Sequence, residues 1–305
     1  NRKFVFFVII LLCKILYSEN LYSQWVQSTG IYGGSFSAVK ANANIVVAAN
    51  ISTGIVYSSD SGISWNQSSM DSLSFSCFLF YGSKIFAGSY DDSDSRGLYC
   101  SNDNGANWYR TSLANKSVTS LVNFNNKLFA STSLTGIYSS TDEGSTWLHS
   151  GLDTFSVYSF LISNNKIFAG TGGYGIYIST NNGSNWIQTG LNNKVICSLA
   201  KSGNVIIAGT LSSGICYSTD DGVSWVQSEL NNIYASSITP IENSNIVFSG
   251  IADTEIPGGI YISTNNGKNW TLTSFNNRTV FSLTYNNGKL YAATNIVGIY
   301  FSTNT

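Results

Sequence analysis

The sequence predicts an all-β fold: a seven-bladed propeller of four-stranded antiparallel blades, closed by the N-terminal strand. Three observations carry that prediction. First, an eight-residue motif (Ser, any, Asp or Asn, any, Gly, any, any, Trp) occurs at residues 58–65, 101–108, 140–147, 179–186, 218–225 and 263–270, and another copy begins at Ser302. The first residues lie 43, 39, 39, 39, 45 and 39 positions apart, a period near forty that marks a repeat architecture. Second, the stretches between motifs are short β-branched and aromatic runs bounded by Asn, Gly and Ser, with no helical periodicity. Third, the two ends of the repeat complement each other, as set out below.

One repeat shows the unit. After Trp147 and a loop come an expected strand a at 157–162, a turn at Asn164 and Asn165, strand b at 166–171, a loop through Gly172 and Gly173, and strand c at 175–180. The motif then turns the chain into strand d, from Trp186 onward. Such a sheet cannot bury both faces alone, and stacking copies around an axis covers them. Trp25, Val26, Gln27 and Ser28 repeat the start of a strand d, yet no blade precedes them. Residues 298–302 form a strand c with no d after it. The orphan d completes the last blade, and seven strands a, counted from Trp25, give seven blades.

Within the motif, Gly at the fifth place allows a left-handed backbone in a tight turn. The third place is Asp60, Asp103, Asp142 and Asp220, but Asn181 and Asn265. Asn does not titrate, so the slot needs a hydrogen-bond acceptor rather than an acid or base. Trp65, Trp108, Trp147, Trp186, Trp225 and Trp270 are expected to pack beneath the turn. All twelve residues are read as structural. These motifs resemble the Asp-box, or BNR repeat, of sialidases, sortilin-type receptors, xyloglucanases and photosystem assembly factors. That resemblance implies a propeller and leaves the activity open, because the families sharing it do different work. The stretch 25–39 also resembles secreted repeat proteins of Bacteroidetes-type bacteria.

Charged residues make up only 10% of the chain and the net charge is −1, with no basic run to meet nucleic acid. Asn1, Arg2 and Lys3 give a basic start, followed by an apolar run at 4–12 too short to span a membrane. Residues 1–23 therefore read as a secretory signal peptide, and 24–305 as one propeller domain. The expectation is a secreted or cell-surface monomer with no transmembrane segment in the mature chain. Cys77 and Cys100, and likewise Cys197 and Cys216, fall on strands a and c of one blade. Strand b separates them by roughly 9.5 Å, beyond the ~7 Å that a disulfide tolerates. Buried free thiols are expected.

The repeat frame tests each candidate for chemistry. His149, the one histidine, sits two places after its Trp, a place otherwise held by Gln27, Gln67, Arg110, Gln188, Gln227 and Leu272. It reads as a tolerant outer-strand position with no catalytic part. After residue 23 the arginines are Arg96, Arg110 and Arg278. Arg110 shares the His149 position, so no arginine triad of sialidase type can form. Twelve places after each Trp stand Ser37, Cys77, Ser120, Ser159, Ser198, Ser237 and Ser282, read as packing at the crowded inner end of each blade.

Two departures from the repeat are the candidate site. The distance from the strand-b glycine to the glycine opening strand c grows to nine residues from Gly88 to Gly97 and from Gly250 to Gly259. Both insertions are acidic b–c loops on the face opposite the motif turns. Tyr90, Asp91, Asp92, Asp94, Arg96, Asp253 and Glu255 are the candidate ligand-binding residues. Tyr32, Tyr174 and Tyr234 lie in the same set of loops. The leading expectation is a non-catalytic module that binds a protein or glycan there. The alternatives are a glycoside hydrolase using two of these carboxylates and an assembly-factor-like propeller. No cofactor is required, although Asp91, Asp92 and Asp94 offer oxygen ligands suited to calcium.

Overall fold

The computed structural model describes residues 25–31, 34–90, 94–253 and 258–302. The expected signal peptide, Tyr32, Asp91, Asp92 and Glu255 lie outside the described residues. Among the described residues every regular element is a strand, and the strands form seven four-stranded sheets. Each sheet is an antiparallel meander running outward from strand a to strand d. In the fourth blade the strands are Val157–Ser163, Lys166–Thr171, Ile176–Ser179 and Ile187–Gln188, within two residues of the expected bounds.

The ring closes as the chain ends require. Trp25 pairs with Ser302, Val26 with Phe301 and Gln27 with Tyr300, so Trp25–Gln27 is the outer strand of blade 7. The Ser28 N–H donates to Ile299 O at 2.9 Å. Trp25 lies on Phe275 of blade 6, ring centroids 4.5 Å apart.

The core is divided rather than central. Apolar clusters sit between neighbouring blades: Phe168 and Ile176 meet Ile196 and Ile206 between blades 4 and 5, and Tyr291 and Ile299 meet Phe36 and Val46 between blades 7 and 1. Strand b is buried on both faces because it lies mid-blade with a neighbour on each side, which is why 167–170 runs without a polar side chain between Lys166 and Thr171.

The inner strands carry one feature that period-two alternation cannot show. Every strand a has a bulge near its start. In blade 4, Val157 pairs with Thr171 and Ser159 with Gly170, leaving Tyr158 unpaired. A bulge residue redirects side chains. The seven bulge residues are Ser37, Ser76, Thr119, Tyr158, Cys197, Ser236 and Phe281. Hydroxyls at this place stitch adjacent blades: Ser37, Ser76 and Ser236 donate to Phe75 O, Val118 O and Val280 O, each at 2.6 Å. Thr119 donates likewise to Val157 O.

This corrects the ring of small residues. Ser37 is the bulge residue of blade 1, and Ala38 takes the place held elsewhere by Cys77, Ser120, Ser159, Ser198, Ser237 and Ser282. The first d–a connection is one residue longer: 36 − 25 = 11 positions from Trp25 to Phe36, against 75 − 65 = 10 from Trp65 to Phe75. The ring is crowded as expected; a Cβ on Gly170 would meet Ser159 Oγ at 2.4 Å. Its hydroxyls also accept bonds across blade boundaries, from Ile238 N to Ser198 at 2.9 Å and from Leu283 N to Ser237 at 3.0 Å. The four described cysteines are free. Cys100 and Cys216 are buried as expected, whereas Cys77 and Cys197 are only half-buried, because strand a borders the axial channel.

Candidate functional site

The two faces of the ring are chemically distinct. On the motif face, Ser58 Oγ donates to Asp60 Oδ1 at 2.7 Å and accepts from Gly62 N at 2.9 Å, while Asp60 also accepts from Ser64 N at 2.8 Å. Asn181 does the same with its amide oxygen, accepting from Ser179 Oγ at 3.0 Å and Asn185 N at 2.9 Å. Trp indole N–H groups of five motifs return to the motif glycine carbonyl, such as Trp65 to Gly62 O at 3.2 Å. Trp186 instead reaches Ser150 O at 2.8 Å, in the preceding blade. These bonds hold the Asp60, Asp142 and Asp220 carboxyls down to about 2. The largest cause in each is the hydroxyl four residues on, and the backbone N–H of the same residue follows.

The motif also docks onto the preceding blade. The glycine lies against a strand-b side chain there: a Cβ on Gly183 would meet Phe129 at 2.4 Å, and one on Gly144 would meet Phe86 at 2.8 Å. Lysines opening strand b reach the fourth motif residue of the following blade. Lys84 pairs with Glu143 at 2.9 Å, Lys166 pairs with Asp221, and Lys289 donates to Ser61 O at 3.3 Å. The fourth motif residue is itself left-handed (Glu143 φ +55). These acids are consumed by structure.

The opposite face is held by the position read as tolerant. Gln67, Gln188 and Gln227 donate their side-chain amides to b–c loop carbonyls, Thr53 O at 2.8 Å, Tyr174 O at 2.7 Å and Ser213 O at 2.8 Å. The place two residues after Trp is therefore a loop clasp, which strand alternation alone did not reveal. In blade 2 the clasp is Arg110, whose longer arm suits the longer loop: Nη2 donates to Asp94 O at 2.7 Å, to Arg96 O, and to Asn115 Oδ1 at 2.8 Å. His149 stands on the exposed rim with its ring edge-on to Tyr138 at 5.2 Å, and its Nε2 is 3.4 Å from the Asp153 carboxylate.

The two acidic insertions share a design missed in the sequence. Their outer strands run six residues, Tyr109–Ala114 and Thr271–Asn276, where d strands such as Ile187–Gln188 run two. The extra length pairs Gly97 with Ala114 and Gly259 with Asn276, and buries Leu113 and Phe275. The visible signal was the Thr-Ser-apolar run at 111–113 and 273–275. A Cβ on Gly97 would lie 2.7 Å from Leu113 O, so glycine is required there.

Inside the ring of b–c and d–a loops lies an axial cavity of about 580 Å³. Blades 2 to 6 line it. The bulge residues Ser76, Thr119, Tyr158, Cys197 and Ser236 form its inner wall, and Tyr90, Ser117, Ser133, Gly172, Val195, Leu211 and Tyr234 its mouth. Among the described residues the lining carries no charged side chain. Burial pushes the Tyr234 phenol and the Cys197 thiol each up to about 12, so both stay neutral hydrogen-bonding groups.

Of the candidate residues, Tyr90 is at this mouth, and so is Tyr234 from the opposite side of the ring. Asp94 and Arg96 do not line the cavity; their loop is drawn outward by Arg110. Asp253, within the second insertion, is half-buried and does not line the cavity. Tyr174 is also off the wall, stacked on Phe155 with centroids 4.4 Å apart. Tyr158 and Cys197 were missed because a bulge places them, and a bulge has no signature in one repeat. Among the described residues no three His, Cys, Asp or Glu side chains gather where a metal could sit. Nor is any helix long and apolar enough to cross a membrane.

Comparison with known proteins agrees with this architecture. The BNR/Asp-box repeat profile matches residues 261–272, so the chain carries that repeat. No curated protein sequence matches the chain. YCF48 from Cyanidioschyzon merolae is similar in structure at 14% identity and a TM-score of 0.68, covering 91% of this chain and 98% of YCF48. YCF48 bound to D1 peptide gives 12% identity and 0.67 over 93% and 95% of the two chains. The GH74 xyloglucanase from Xanthomonas campestris gives 11% and 0.70, covering 92% of this chain and 54% of the enzyme. The extracellular domain of BT4673 from B. thetaiotaomicron gives 14% and 0.72, over 92% and 40%. At these identities the likeness establishes the fold alone.

Proposed function

We propose that this chain is a secreted, non-catalytic propeller that binds a protein or glycan on its b–c and d–a loop face, seated over the axial cavity. The observation that carries this reading is the cavity itself. It has the size of a ligand pocket, lies on the loop-bearing face, and is walled by tyrosines and hydroxyls. Tyrosine offers a large apolar face with a polar tip, and the hydroxyls offer both donors and acceptors. None of these groups is a nucleophile with a base beside it. The YCF48 bound to D1 peptide supports the reading, as a propeller of the same fold with a polypeptide ligand. Export is inferred from the basic start and the apolar run at 4–12. The protein acts as a monomer and needs no cofactor.

The xyloglucanase of like fold keeps one second reading in play, a glycoside hydrolase using the insertion carboxylates. The test uses arrays of polysaccharides and surface proteins. Binding should be lost in Tyr90→Ala, Tyr158→Ala and Tyr234→Ala variants and kept when Asp94 and Asp253 become Ser. Loss in the acid variants alone moves the site to the insertions. Release of reducing ends from a polysaccharide replaces the binding reading with the hydrolase.

A further inference from the structure

Left-handed backbone is handled in a consistent way in this chain. Among the described residues twenty non-glycine residues have positive φ, and thirteen of them are Asn, the side chain that tolerates this region best. Three of the others are large and apolar: Leu134 (φ +65), Leu152 (φ +57) and Ile296 (φ +70). Leu152 has a local reason, since it packs into the core between blades 3 and 4. Leu134 and Ile296 have none. They are 71% and 69% exposed, and Ile296 is β-branched and sits at the centre of a tight turn in which Val297 N–H donates to Asn295 O at 2.8 Å. Blade 4 places Gly173, φ +109, at the equivalent place. A strained conformation without offsetting burial points to a use outside the folded chain.

Both residues occupy b–c loops, and so do Ile51, Tyr90, Tyr174 and Leu211, all exposed. Among the described residues, six of the b–c loops thus hold an exposed apolar tip around the cavity. Tyr90 and Leu211 belong to both, so crown and cavity form one surface. Aliphatic tips make poor contacts with sugars, which are clothed in hydroxyls that need hydrogen-bonding partners. They suit a protein, and a cavity whose described lining carries no charged side chain offers no counter-charge to a buried ionic group.

We propose that the occupant is a polypeptide: an uncharged, apolar loop or chain end that enters the axial cavity while its flanks rest on the Leu134–Ile296 crown. The inference rests on the reading of this face as the binding face and adds the class of ligand.

The test uses the full chain with two probes, a displayed library of random linear and looped peptides and an array of neutral oligosaccharides. Leu134→Asn and Ile296→Asn keep a residue suited to the left-handed turn and remove the apolar tip. Selected peptides should carry an uncharged apolar centre, bind about tenfold more weakly to each variant, and lose binding to Tyr158→Ala. The same two Asn variants should melt about 2 °C higher than the parent, because backbone strain is relieved. Four results overturn the inference: oligosaccharide binding with no peptide selected, peptide binding indifferent to the two Asn variants, a dimer of the parent chain that both variants dissolve, and a fall in melting temperature in both. The first leaves the binding face intact as a glycan site. Binding of neither probe, or binding indifferent to Tyr158→Ala, defeats the binding-face reading together with the inference.

Discussion

The motif face and the loop face are made by the same strands, yet they obey opposite rules. On the motif face each residue has a duty repeated around the ring. Asp or Asn holds the turn, glycine lies on the neighbour's strand b, Trp covers the interface, and lysine reaches the next turn. On the loop face the backbone is clasped by a repeated Gln or Arg while the outward side chains vary from blade to blade. Apolar tips there stand exposed, two of them in conformations that cost energy. Repetition marks what the ring needs in order to close, and variation under a fixed clasp marks what the ring is free to use.

The sharpest way to break that contrast is Gly183→Ala. It places a Cβ 2.4 Å from Phe129 at φ +81, and left-handed strain and overpacking together should cost about 2–4 kcal/mol, read as a lower urea midpoint. A smaller effect is expected for Asp103→Ala, which removes the acceptor for Asn107 N at 2.9 Å. Because the site is exposed, the loss is about 1 kcal/mol, or about 2–4 °C in Tm. Asp103→Asn should be nearly silent, since Asn265 fills the same slot by accepting from Asn269 N at 2.9 Å.

Acid sharpens the comparison further. Asp60, Asp142 and Asp220 titrate at about 2 in the folded protein, below the ordinary 3.8. A depressed carboxyl stabilises the fold above its ordinary value, and the contribution is lost as the pH falls through the folded value. Unfolding midpoints should therefore drop between pH 4 and pH 2, and changing all three to Asn should flatten that drop while leaving pH 7 little altered. Among the alanine substitutions, the smallest expected change in stability belongs to the loop face. Arg110→Ala should leave the midpoint within about 0.5 kcal/mol of the parent, yet speed amide hydrogen exchange at Asn115, whose N–H donates to Arg96 O at 2.9 Å. An equal loss of global stability would show that the clasp belongs to the ring after all.

Much of this was legible in the order of residues. The spacing of the motif implied the blades, and Trp25 read beside residues 298–302 implied the closure later seen in the Trp25–Ser302 pairing. Asn181 and Asn265 showed that the acidic slot is not catalytic. The site was less legible. Tyr90 was chosen from its insertion, but Tyr158 and Cys197 reach the cavity through a bulge that offsets the period-two pattern by one residue. Arg110 looked remote because a strand label gives no reach to a side chain. The Ser37 assignment failed for a similar reason, since one extra loop residue shifts a whole register.

The chain alone fixed the repeated turn, the blade count and the closure, because a local hydrogen-bonded turn and an apolar strand have the same consequence in every copy. Which side chains share the axial cavity was decided only when seven blades met around an axis, for that neighbourhood joins residues as far apart in sequence as Ser76 and Ser236. No local preference encodes such a meeting. It follows from the closure geometry, which turns equivalent positions in separate repeats into one wall.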